Sequence, residues 1–99
     1  EAMVVGICIF ELHLPTSRGL KEKRRVIKPL IERIHQRYRI SVAETAHHDL
    51  LQRAEISLAI VAQTQREAEH MLDEVRNLID DEGEAYLTLW NPQVLEGLS

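Results

Sequence analysis

The chain has 99 residues, 44% hydrophobic and 28% charged, with a formal net charge of −4. That length suits one domain, residues 1–99, with a small core and little room for a deep pocket. No apolar run is long enough to span a bilayer and no signal-peptide pattern opens the sequence, so a cytoplasmic location without membrane contact is expected.

From Val4 to Leu14 runs a mostly apolar stretch rich in Val, Ile and Phe, closed by Pro15. It reads as a strand apolar on both faces, suited to the middle of a sheet. Cys8, the single cysteine, lies within it and reads as a core residue in a reducing compartment, since nothing in its local sequence would activate a thiol. A helix is predicted to open near Gly19, where Glu22 can meet free amides. Its apolar stripe is Leu20, Ile27, Leu30, Ile31, Ile34 and Tyr38. Pro29 inside that pattern predicts a kink rather than a break, because the spacing continues beyond it.

This helix gathers the chain's cations. Nine of the twelve Lys and Arg residues fall between Arg18 and Arg39, against two acids, Glu22 and Glu32. On a helical projection Lys21, Arg24, Arg25, Lys28, His35 and Arg39 line one flank, the pattern by which a helix meets phosphates.

A second strand is expected from Ile40 to Thr45, followed by a polar connection through His47, His48, Asp49 and Gln52. A third strand alternates Ile56, Leu58, Ile60 and Ala62 against Glu55, Ser57, Ala59 and Val61, pairing with the second as a hairpin. Thr64 and Glu67 form a capping box for a second helix with the stripe Ala68, Met71, Leu72, Val75, Leu78 and Ile79. Gly83 ends it. A fourth strand takes Ala85 to about Trp90, with Leu87 and Leu89 toward the core, and Pro92 suits an edge. The order β-α-β-β-α-β predicts an α+β, ferredoxin-like fold, with a four-stranded antiparallel sheet and both helices on one face.

Several short blocks carry a family resemblance: Val4-Val5-Gly6, Glu11-Leu12-His13-Leu14-Pro15, Leu20-Lys21-Glu22-Lys23-Arg24-Arg25, Ser41-Val42-Ala43-Glu44, Asp49-Leu50 and Gln52-Arg53-Ala54-Glu55. Together and in this order they resemble the YlxP-like bacterial proteins, a family of unknown function (DUF503). The resemblance implies a ferredoxin-like fold. It also implies a link to RNA or the ribosome, because such genes often neighbour those for translation and ribosome maturation factors. No reaction is implied. The chain departs from the family pattern at Gly19, where serine is usual, and at Leu51, where an aromatic often stands.

The basic flank has two readings. Lys21, Arg24, Arg25 and Lys28, with Arg18, His35 and Arg39 at the margins, would neutralise RNA phosphates without DNA sequence specificity. Alternatively the flank faces acid, either the second helix (Glu67, Glu74 and Asp81, or Glu69, Asp73 and Asp80) or a neighbouring subunit, as in a homo-oligomeric adaptor. The open sheet face is expected to show Ile7, Ile9, Ala59, Val61, Tyr86 and Trp90, apolar enough to suggest a homodimer or a partner contact. Glu44, His47, Asp49, Gln52 and Arg53 are expected to form a polar loop cluster.

Adjacent histidines on extended chain point to opposite faces, so His47, His48 and Asp49 do not suggest a metal site, and no cofactor is expected. An enzyme of acylphosphatase type would need a glycine-rich phosphate cradle after the first strand. Pro15 to Gly19 offers only Arg18 and one glycine, so the chain is read as non-enzymatic, with catalysis on small anions or acyl phosphates the third alternative.

Overall fold

A computed structural model describes residues 3–97. Its elements are β1 (Val4–His13), α1 (Leu20–Tyr38), β2 (Ser41–Ala46), β3 (Arg53–Ala62), α2 (Gln65–Asp80) and β4 (Tyr86–Glu96), the expected ferredoxin-like order. The antiparallel sheet has the order β2-β3-β1-β4, which places the most apolar strand, β1, between two neighbours.

Strict alternation sorts the two inner strands. Cys8, Phe10 and Leu12 of β1 and Ala54, Ile56, Leu58 and Ile60 of β3 point to the helix side and are buried. Ile27, Leu30 and Ile34 of α1 and Leu72, Val75, Leu78 and Ile79 of α2 close over them in one cluster. Burial holds the Cys8 thiol up at about 11, as expected for a core thiol rather than a nucleophile.

Local signals set the helix ends. The Thr64 hydroxyl accepts the Glu67 amide at 3.1 Å, the expected cap of α2. Gly19 caps α1 in extended backbone without a side-chain bond, and Glu22 accepts the Arg18 amide at 3.2 Å. α1 runs unbroken through Pro29. It ends where Arg39 adopts the left-handed conformation, φ 53°, and donates its amide to the carbonyl of His35.

The fourth strand corrects the expectation. A bulge between Glu11 and Leu12 of β1, with Thr88 as the extra residue on β4, shifts the pairing from Leu12↔Leu87 to Glu11↔Leu89 and Phe10↔Trp90. Leu87 stays on the helix side, but Leu89 turns to the open face and Trp90 turns inward. There Trp90 meets Phe10 at 5.6 Å between ring centroids and lies under the Arg76 guanidinium. β4 also continues past Pro92 to Glu96, which proline permits because β4 is an edge strand.

Gly6 of β1 faces α2. A Cβ there would stand 3.5 Å from Ala68 Cβ and 3.6 Å from Leu72 Cδ1, ordinary contact distances. Gly6→Ala is therefore expected to be neutral or stabilising by about 0.4–1 kcal/mol. Gly6→Val overpacks the site and costs about 1–3 kcal/mol. Thermal unfolding of the two variants beside wild type checks both.

Candidate functional site

Lys23 occupies a position that the apolar stripe of α1 would give to a hydrophobic residue, three after Leu20 and four before Ile27. It is only 2% exposed. A buried ammonium needs oxygen partners, and it finds two. Its Nζ donates to the His47 carbonyl at 2.6 Å and lies 3.0 Å from Glu44 Oε2 on the helix side of β2. The Glu44 contact is ionic, because the angle falls outside hydrogen-bond geometry and Oε2 has no other bond. The His47 carbonyl also accepts the Leu50 amide at 3.0 Å. Those two bonds hold His47 in the left-handed conformation, φ 62°, where a residue with a Cβ is strained by about 1–2 kcal/mol.

That backbone turn sends the His47 ring to the opposite face of the sheet. There Arg53 donates to Glu11 Oε1 at 2.6 Å and to His47 Nε2 at 3.3 Å, in the tautomer with the ring proton on Nδ1. Glu11 Oε1 also lies 3.6 Å from His47 Nε2, close but outside hydrogen-bond distance. The hydrogen bond from Arg53 holds the Glu11 carboxyl below the usual carboxylate range. Beside this group the Thr45 hydroxyl donates to Glu55 Oε2 at 2.6 Å, with Ser57 Oγ 2.7 Å from Thr45 Oγ1.

Gln52 ties a third point. Its side-chain amide donates to the carbonyls of Pro15 at 3.2 Å and Ser17 at 3.3 Å, and its own carbonyl accepts the Leu14 amide at 2.9 Å. The polar cluster expected at Glu44, His47, Asp49, Gln52 and Arg53 is thus divided among different jobs. Glu44 works on the helix side, His47 and Arg53 on the open side, and Gln52 at the β1–α1 loop. Asp49 is exposed and joins none of these contacts. Sequence reasoning missed Lys23 and Glu11. The signal for Lys23 was a cation centred in an apolar stripe.

The basic flank of α1 lies in solvent. Lys21, Arg24, Arg25 and Lys28 are all exposed, as are Arg18, His35 and Arg39. Among the described residues no salt bridge joins any of them to α2 or to another element. Between the helices the direct hydrogen bond is from the Tyr38 hydroxyl to the Glu74 carbonyl at 3.3 Å. His35 has a structural task, since its Nδ1 donates to the Ile40 carbonyl at 2.8 Å and helps close the helix end. Glu32 stands on the same flank four residues after Lys28, so the uninterrupted basic run is the first half of the helix. The cleft beside the Pro15–Gly19 loop is lined by Glu22 and Glu84 as well as Arg25, an electrostatic setting that opposes a phosphate.

On the open face Ile9, Val61 and Tyr86 are exposed as expected, with Ala59 exposed and Ile7 half-buried beside them. Trp90 leaves this set because of the bulge. Leu89 and Leu95 take its place.

The family profile described as protein of unknown function (DUF503) matches residues 5–91, which span every strand and helix of the chain up to the middle of β4. The chain belongs to the DUF503 family. The uncharacterised protein YlxP of Bacillus subtilis (strain 168) is 29% identical over 77 residues, covering 78% of this chain and 84% of that protein. The solution NMR structure of a de novo designed protein, LFR1 1, with ferredoxin fold aligns over 92% of this chain and 83% of the design, at a TM-score of 0.46 and 15% identity. Four of the sequence blocks by which the DUF503 resemblance is read meet at one end of the sheet, where Glu11, Lys23, Glu44, Gln52 and Arg53 bond to one another or to adjoining backbone, while Val4-Val5-Gly6 lies at the other end of β1. The partners of these five side chains are internal, so they fix the junction between the hairpin, β1 and the start of α1. Among the described residues no three His, Cys, Asp or Glu side chains form a set that could hold a metal ion, and no helix is long and apolar enough to cross a membrane.

Two outcomes are expected. Lys23→Met removes two contacts and leaves Glu44 without its cation, lowering stability by about 1–3 kcal/mol in denaturant unfolding; adding Glu44→Gln restores part of that loss. The Glu11 carboxyl has its lowered value only in the folded chain. Its pair with Arg53 therefore stabilises the fold above the ordinary carboxyl value of 4.5, and the contribution is lost as pH falls through the lower folded value. The difference in Tm between wild type and Arg53→Gln should be largest at neutral pH and shrink in acid.

Proposed function

We propose that this protein binds RNA, as a ribosome- or RNA-associated factor without catalytic activity, through the basic flank of α1. The observation that carries the reading is the set Lys21, Arg24, Arg25 and Lys28, four exposed cations within about 100° of helix arc. None has a salt-bridge partner among the described residues. Clustered like charges repel one another on a helix and stay close at least cost when a polyanion neutralises them. The overall charge of −4 does not oppose this, because screening over about 8 Å at physiological salt lets opposite sides of the molecule act separately.

Recognition through phosphates and shape fits better than base reading. With Trp90 turned inward, Tyr86 is the one aromatic ring that β4 presents on the open face, too few for a row of stacked bases. Arg18 and Arg39 extend the flank at its two ends, and His35 contributes less because its ring is engaged at the helix terminus.

The test is titration of purified small and large ribosomal subunits and bulk RNA across a salt series. Wild type is compared with a variant carrying Lys21→Ala, Arg24→Ala, Arg25→Ala and Lys28→Ala, its fold checked by circular dichroism. Four phosphate contacts predict a slope of about −3 in log K against log salt for wild type, and the loss of saturable binding in the variant. Equal binding by both proteins, or none at any salt, would overturn the reading and favour an acidic protein surface as the partner of this helix.

A further inference from the structure

The open face of the sheet sorts its side chains by size across the strands. On one half, β1 presents Ile7 and Ile9 and β4 presents Asn91, Gln93 and Leu95; on the other, β3 presents Ser57 and Ala59 and β2 presents Ser41 and Ala43. The face is a ridge beside a trough. Val61, at the end of the trough, is 71% exposed, and Ile9, Leu89 and Leu95 are exposed with it. Lysine is absent from all four strands, and the charged residues of this face, Glu11, Arg53 and Glu55, stand together at one end of it.

From this arrangement we infer that the open face is the interface of a homodimer, formed with a second copy of the same chain. The ridge and trough fix the symmetry. The strand order is β2-β3-β1-β4, and a two-fold axis parallel to the strands, passing between β3 and β1, lays β1 of each copy over β3 of the other and β4 over β2. Large side chains then enter the partner's trough, Ile7 against Ala59. A two-fold axis perpendicular to the strands would set β1 on β1, ridge against ridge, and leave the troughs empty. Sheets stacked in this way keep their strands within about 30° of each other and interdigitate at about 10 Å.

The available area suits such a pair. Four strands at about 4.8 Å spacing and about seven residues of length give each copy a footprint of roughly 450 Å², so a dimer buries on the order of 1,000 Å², the lower bound for a specific interface. The ion-paired Glu11 and Arg53 lie at one end of the apolar surface and form its polar rim. Both α1 helices then lie on the outer sides of the dimer, with their basic flanks clear of the interface.

The experiment is sedimentation equilibrium of wild type, Ala59→Glu and Ile9→Lys over a roughly hundredfold concentration range, with thermal unfolding at both extremes. Wild type is expected at twice the chain mass, with a Tm that rises with concentration. Each variant, placing a charge in the trough or on the ridge at an exposed position, should weaken the dimer at least tenfold and lose the concentration dependence while keeping its circular dichroism. A monomeric wild type, or variants that dimerise as strongly as wild type, would overturn the inference. RNA is absent throughout, so the result stands apart from the fate of the helix reading.

Discussion

A four-stranded sheet has two faces, and the described residues supply two helices, both on the same face. That constraint arranges the molecule. The inner strands must spend alternate residues on the covered side, where Phe10, Leu12, Ile56 and Ile60 are almost wholly buried between sheet and helices. Each helix in turn has one stripe committed to the sheet, which leaves its flanks for charge. The basic flank of α1 and the apolar open face are the two surfaces left over once the core is closed, the first beside the buried stripe of the helix and the second on the side of the sheet away from it.

Within that frame Lys23 solves a local problem. The chain enters α1 close to the β2–β3 loop, and the ammonium of Lys23 reaches across to hold the loop by the His47 carbonyl and Glu44. Gln52 makes the matching connection to the loop before α1. A hydrophobic residue at position 23 would pack there without constraining the loop. The polar bonds, unlike dispersion contacts, are directional, and they set the approach of the hairpin to the helix to within hydrogen-bond geometry. Burial of this pair in itself adds little net stability, since desolvation offsets most of the attraction.

The order of elements and the faces of β1 and β3 were legible in the sequence because their alternation is strict and each strand is flanked by clear turn or capping residues. The fourth strand was not. Both of its faces carry apolar residues, Leu87 and Leu89 on one phase and Tyr86 and Trp90 on the other, so a bulge at Thr88 changes the assignment without leaving a break in the pattern. The basic flank was legible as charge sorted by helical period. The bonds from Lys23 and Gln52 were not, because they join residues 24 to 37 positions apart and depend on where two loops come to rest. Lys23 itself stood in plain view as a cation among Leu20, Ile27 and Leu30, and its partners did not.

The inward turn of Trp90 has an optical consequence. It is the chain's only tryptophan, its indole is held between Phe10 and the Arg76 guanidinium, and so it reports by intrinsic fluorescence on the seam where α2 meets β4. Emission wavelength and quenching follow the closure of that seam. The single indole thus gives the protein an internal gauge of folding, placed on a different element from the basic flank of α1.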